Sequence, residues 1–153
     1  MEMDIEKLYQ KYIAAWLAHD TEAVVSFFAE DCVYEDVALG ALNRGKPELK
    51  AFVQATLAAI PDFTIEPKSV FTTVGRLASE WIMTGTHKGD FPGLPATGKS
   101  FSVPVASIME FQNGKIRRNT DYWNLGLFST AGGSNGLTWR SKGTRQKRRA
   151  PQL

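Results

Sequence analysis

The hydrophobic period of the chain changes once, near Phe63, and that change limits the folds open to it. Ahead of it, Ile5, Leu8, Tyr9, Tyr12, Ile13, Trp16 and Leu17 recur at intervals of three and four, the signature of an amphipathic helix from Ile5 to about Ala18. Asp4 supplies a cap. A second, short helix is expected from Thr21 to Ala29 after the His19-Asp20 break, burying Val24, Val25, Phe27 and Phe28. A third carries Leu49, Phe52, Val53, Thr56, Leu57 and Ile60, with Pro47 at its first position and Pro61 closing it. Between the last two, Cys32 to Asp36 reads as a short strand and Gly40 to Gly45 as a loop.

Beyond Phe63 the period falls to two. Runs at Thr64 to Val74, Leu77 to His87, Phe101 to Phe111 and Lys115 to Trp123 are rich in β-branched and aromatic residues, as strands are. Asn113-Gly114 is a strong hairpin turn between the last two. Three helices followed by mostly antiparallel strands predict an α+β domain in which helices cover one face of a strongly curved sheet and enclose a cone. At 153 residues there is room for one such domain, taken as residues 1–130. Residues 131–153 read as a Gly-rich linker and a basic, disordered tail. The tail holds six basic residues and no acidic one, whereas the remainder has 12 basic against all 16 acidic residues. The tail could neutralise phosphates, but without interleaved aromatic residues it reads as a solvated extension, and nucleic acid is not the expected partner.

Nine Phe, four Trp and four Tyr exceed what a minimal core requires and suggest an apolar ligand cavity. No apolar run is long enough to span a bilayer and the acidic N-terminus does not resemble a secretory signal, so a soluble cytoplasmic protein is expected. The single Cys32 excludes an internal disulfide and reads as buried packing. With only His19 and His87, neither in ligand-like spacing, no metal site is expected, and no phosphate or dinucleotide glycine fingerprint is present.

Asp121 is the residue with most chemical promise. Alternation puts Asn119, Asp121 and Trp123 on one strand face, so an inward face would set a carboxylate against an indole and raise its pKa by desolvation. The competing possibility is a structural aspartate paired with Arg117, which shares that face at i−4, or with Arg118. Leu77, Ser79, Trp81, Met83, Gly85 and His87 share a face of another strand, where Trp81 and Met83 would wall a dry pocket.

The helix, helix, strand, helix, sheet order resembles the nuclear-transport-factor-2-like (NTF2-like, ketosteroid isomerase-like) superfamily. The stretch Thr86-His87-Lys88-Gly89-Asp90-Phe91-Pro92-Gly93-Leu94-Pro95-Ala96-Thr97-Gly98-Lys99, continued through Asn113-Gly114-Lys115-Ile116 to Asp121, is similar to the signature of the SnoaL-like polyketide cyclases. That resemblance implies an aldol-type cyclase or isomerase without cofactor, with Asp121 as acid/base and His87 at a pocket-side position. It also implies a homodimer and a small hydrophobic ligand. Comparison with ketosteroid isomerases places Asp36 at the base and Tyr12 at the oxyanion tyrosine, with Ser107 where those enzymes carry a protonated aspartate. Limonene-epoxide hydrolases share Asp121, but Trp81 and Met83 replace the arginine and second aspartate that their chemistry needs.

The candidate site is therefore Asp121, Asp36 and Tyr12 for chemistry, and Trp16, Tyr34, Trp81, Met83, His87, Ser107 and Trp123 for ligand contact. Tyr12, Tyr34 and Ser107 are expected to orient a carbonyl oxygen. Each has a plainer reading: Asp36 as a turn residue, Tyr12 and Trp16 as core aromatics, His87 as a loop hydrogen-bonding residue. A non-catalytic binding module is the alternative to the enzyme.

Overall fold

Inward side chains of a six-stranded curved sheet and the apolar stripes of the helices laid across it form one core. The computed structural model describes residues 3–91 and 93–130; the expected basic tail lies outside the described residues. In chain order the elements are α1 (Ile5–Leu17), α2 (Thr21–Ser26), β1 (Phe28–Asp36), β2 (Ala41–Arg44), α3 (Gly45–Ala59), β3 (Thr64–Thr73), β4 (Arg76–Thr86), β5 (Ser100–Gln112), β6 (Lys115–Trp123) and α4 (Leu125–Thr130). The sheet order is β2-β1-β6-β5-β4-β3. All neighbours are antiparallel except β1 and β6, which are parallel. The architecture is thus the expected α+β one, with helices packed on a curved mixed sheet.

Asp4 caps α1 by accepting from the Lys7 N–H at 3.0 Å, and Asp20 caps α2 by accepting from Ala23 at 3.0 Å. The helix α2 ends earlier than its local pattern suggested, because Phe28 starts β1 opposite Ile116 of β6, and both are wholly buried. Sheet pairing here overrides local propensity. The expected loop at Gly40 to Gly45 contains β2, a short edge strand returned against β1 by a turn at Gly40, whose φ is 64°. Gly45, at φ 78°, bends the chain from β2 into α3, so Pro47 is the third residue of that helix and not its first. Its missing N–H still costs no hydrogen bond within the first turn. The helix α4, which sequence periodicity did not signal, seats Phe128 among Phe91, Phe101 and Trp123.

Asn113 and Gly114 both have positive φ, 52° and 75°, as the two-residue hairpin turn between β5 and β6 requires. One residue later the ladder slips: Phe111 faces Ile116 while Glu110 faces Arg118, leaving Arg117 as the extra residue of a bulge. Ile116 and Asn119 therefore both point inward, and Arg117 and Arg118 are both exposed. The expected shared face of Arg117 and Asp121 does not exist. Arg117 donates to Gln112 at 2.9 Å, and Arg118 donates to Glu35 at 3.1 Å.

The loop after β4 is tied to the end of α3. Lys88 and Gly89 both donate their backbone N–H to the Ala59 carbonyl, at 2.9 and 3.0 Å, filling an acceptor that the helix end leaves open. A Cβ on Gly89 would lie 3.0 Å from both Ala58 O and Ala59 Cα, backbone atoms that cannot swing aside. Gly89→Ala is expected to destabilise the fold by about 1–3 kcal/mol, as overpacking does. Equilibrium urea unfolding checks this against wild type.

Candidate active site

Four adjacent strands place one polar inward residue each at the same level of the sheet. Ser79 on β4 is paired with Ser107 on β5, Ser107 with Asp121 on β6, and Asp121 with Asp36 on β1. All four are buried in a face otherwise built from Leu77, Trp81, Met83, Val105 and Met109. At about 4.8 Å between strands this is a continuous polar row across an apolar wall. The helices α1 and α3 close the opposite side of a cavity.

That cavity is lined by Asp121, Asp36, Tyr12, Trp16, Tyr34, Trp81, Met83, Ser107 and Trp123, so nine of the ten candidates from sequence share one space. His87 is the exception. Its ring packs on Phe128 and Phe91, with centroids 4.9 and 5.8 Å apart, and neither ring nitrogen has a hydrogen-bond partner. The backbone of His87 does the loop's hydrogen bonding, accepting from Gly98 and donating to Lys99. The side chain fills the core behind the cavity wall and the expected ligand contact is not made, because Phe91 and Phe128 line the cavity in its place.

Among the described residues, Asp121 receives three neutral donors and no cation. Ser107 Oγ donates to Oδ1 at 2.6 Å, Asn119 Nδ2 donates to Oδ1 at 2.9 Å, and the Tyr34 hydroxyl donates to Oδ2. Trp81 Nε1 donates to Ser107 Oγ at 2.9 Å, which directs the serine proton toward the carboxylate. Tyr34 and Ser107, expected to orient a ligand carbonyl, both direct their protons to Asp121 in this geometry. Trp81 is likewise more than an apolar wall. Burial raises the Asp121 pKa, while the bonds from Ser107, Tyr34 and Asn119 oppose that rise without cancelling it.

Asp36 is also buried and lines the same cavity. Trp123 Nε1 reaches both its oxygens at 3.0 Å, and the Leu39 N–H donates to Oδ1 at 3.0 Å. The Trp123 indole, expected beside Asp121, thus serves Asp36 instead. Burial lifts the Asp36 carboxyl from 3.8 to about 6, against the bonds from Trp123 and Leu39 and with a further push from the Asp121 charge. Tyr12 and Tyr34 are raised well above the usual phenol range, by burial first and then by the Asp121 charge, so both stay protonated.

Tyr9 and Asn119 also line the cavity, and Ser79 completes the polar row, although none was singled out from sequence. The signal was present for two of them. Ser79 and Asn119 are polar residues at positions whose alternation already assigned them to the face of Trp81 and Asp121. Tyr9 lies on the apolar stripe of α1, where a phenol cannot be told from packing. Among the described residues, no group of three or more His, Cys, Asp or Glu side chains could hold a metal ion, and no helix is long and apolar enough to cross a membrane.

Comparisons with known proteins bear on the family and the fold. The chain is 28% identical over 106 residues to Cyclase aurE of Calcarisporium arbuscula, covering 69% of this chain and 75% of that one. A ketosteroid isomerase-like protein of Catenulispora acidiphila, solved in complex with trimethylamine, superposes with a TM-score of 0.73 at 22% identity, over 87% of this chain and 95% of that one. TsrD of Streptomyces laurentii gives 0.75 at 18% identity, over 86% and 98%. Those two structural likenesses speak for the fold alone. The sequence profile of the SnoaL-like polyketide cyclases matches residues 6–127, and the chain belongs to that family.

Proposed function

We propose that this protein is an acid/base enzyme acting on a hydrophobic cyclic or polyketide-derived carbonyl compound, as an aldol-type cyclase or isomerase. The observation that carries the reading is a carboxylate, Asp121, lining an apolar cavity with only neutral donors around it. The charged form of such a group is poorly solvated, which makes it a stronger base than a carboxylate in water.

Asp121 takes a proton from the carbon beside a ligand carbonyl, and the C–H electron pair becomes an enolate. In a cyclase that carbon bonds to a second carbonyl carbon, whose C=O pair moves onto oxygen, and Asp121 returns the proton there. Once Asp121 is protonated it needs fewer donors, so the Tyr34 hydroxyl is free to turn toward the developing oxyanion. Tyr12, protonated and on the same wall, is the second such donor. These steps move only protons and carbonyl electrons, so they require no group beyond the side chains. Asp36, half ionised near pH 6, is the alternative proton carrier on the cavity wall. Epoxide hydrolysis fits poorly, because Trp81 and Met83 stand where the limonene-epoxide hydrolases carry an arginine and a second aspartate.

A second reading, a binding module without turnover, is favoured by one observation: three donors already occupy most of the acceptor positions of Asp121. Turnover of a polyketide β-keto ester separates the two. Asp121→Asn is expected to lower kcat about 10²–10⁴-fold with the fold retained by circular dichroism. Wild-type turnover in that variant would overturn the enzyme reading.

Asp36 sets a pH dependence of known sign. Its folded pKa is above its unfolded one, so the folded state holds the extra proton and stability falls as pH rises from about 4 to about 6, then levels. Wild-type stability relative to Asp36→Asn is expected to drop by up to about 3 kcal/mol across that window, as urea unfolding at successive pH values would show.

The outer sheet face exposes Phe71, Ile108 and Tyr122. We propose that this face pairs in a homodimer, and sedimentation velocity is expected to give twice the chain's 17.0 kDa. A monomer would contradict it.

A further inference from the structure

Asn119 is fixed by the charge next to it. Its Nδ2 donates to Asp121 Oδ1, an acceptor, so the amide cannot turn over without losing that bond. Its Oδ1 is consequently held in place, and it is buried with no hydrogen-bond partner. The Tyr9 hydroxyl, on the same cavity wall, is buried and unpartnered too, as is Ser79 Oγ beside it. Burial raises the Tyr9 phenol above its ordinary range, with the nearby Ser79 opposing that rise, but the two hydroxyls do not meet in hydrogen-bond geometry. Tyr9 packs beside Tyr12, with ring centroids 6.5 Å apart, and both line the cavity together with Asn119 and Asp121.

An orphaned acceptor and two orphaned hydroxyls in one buried place carry an unmet demand. Each unpaired buried polar group costs stability, and a ligand that supplies the missing partner recovers that cost on binding. The demand has a definite polarity. Asn119 Oδ1 can only accept, so a carbonyl or ether oxygen cannot satisfy it, whereas an O–H can. Tyr9, held protonated by burial, can donate to the oxygen of that same hydroxyl or of a neighbouring one.

We propose that Tyr9 and Asn119 on the cavity wall, with the neighbouring Ser79, form a hydroxyl-recognition subsite, which selects ligands carrying a phenol, enol or alcohol over the same skeleton with that oxygen capped. The inference rests on the cavity being the ligand site and extends it to substrate class: a hydroxylated, not merely carbonyl-bearing, ring compound. Sites that hydrogen-bond a ligand O–H reject the analogue lacking it more strongly than apolar pockets reject a missing methylene, because their own groups are left unpaired.

The test is a matched pair of probes, 2-naphthol and 2-methoxynaphthalene, titrated calorimetrically into the full-length protein. Wild type is expected to bind the naphthol at least about tenfold tighter, one hydrogen bond's worth of discrimination. Tyr9→Phe and Ser79→Ala each remove one unpaired hydroxyl and no described hydrogen bond, so both are expected to fold. Tyr9→Phe should bring the preference to within about threefold while leaving affinity for the methyl ether unchanged. Equal affinity of wild type for the two probes overturns the inference, as does binding of neither. Retention of the full preference in both variants overturns it too, and so does equal weakening of both probes by Tyr9→Phe. The result is independent of turnover. A preserved naphthol preference with an active Asp121→Asn protein would sink the enzyme reading alone, and a lost preference with an inactive Asp121→Asn protein would sink the subsite alone.

Discussion

The charge of Asp121 is held by a phenol, an alcohol and an amide, and the chemistry of the cavity follows from the lack of a cation beside it. An arginine in that place would pull the pKa down and fill the space that a ligand needs. The bulge at Arg117 prevents this. One extra residue in β6 turns Arg117 and Arg118 outward together, toward Gln112 and Glu35, while keeping Asn119, Asp121 and Trp123 inward. A backbone irregularity one turn of the pleat away therefore fixes the electrostatics of the site.

The polar row gives the two carboxylates different settings. Asp121 sits deep, with its donors supplied by β1, β5 and its own strand, and the Trp81 indole orients the Ser107 donor from β4. Asp36 is paired with it across β1 and β6 but takes its donors from Trp123 and the turn at Leu39. Both are raised by burial, and the Asp121 charge further disfavours ionisation of Asp36, as a like charge on a neighbouring strand does. The deeper one is held by three neutral donors whose bonds oppose, without cancelling, the rise that burial imposes. The shallower one is tied by one indole and one backbone amide and titrates within the range of ordinary solution pH.

Most of this was legible in the sequence, and the parts that were not have identifiable causes. The helical stripe of α1, the alternation of β4 and the Asn113-Gly114 turn are local signals, and they gave the fold and the inward face that carries Trp81, Met83 and Asp121. The helix-like run through Phe28 was misread because parallel pairing with Ile116 is a long-range event with no local trace. The strand β2 was hidden between Gly40 and Gly45, whose turns are what make it possible. The bulge could not be read from alternation, since alternation assumes that no residue is skipped; hence the false partner Arg117. His87 shows the reverse error, a polar residue at an inward position read as a ligand contact when Phe91 and Phe128 stand between it and the cavity space. Tyr9 was invisible because a phenol on a buried helical stripe has the spacing of any core residue.

The central claim is that Asp121 is a desolvated carboxylate held by neutral donors and poised to exchange a proton. Its titration tests this most directly, followed through the side-chain carboxyl resonances of 13C-labelled protein and assigned by comparison with the Asp121→Asn and Asp36→Asn variants. A midpoint for Asp121 above the ordinary aspartate range of about 3.9 is the expected result. A midpoint at or below that range would contradict the account, because it would mean that the donors outweigh burial and leave a structural anion with little affinity for a proton.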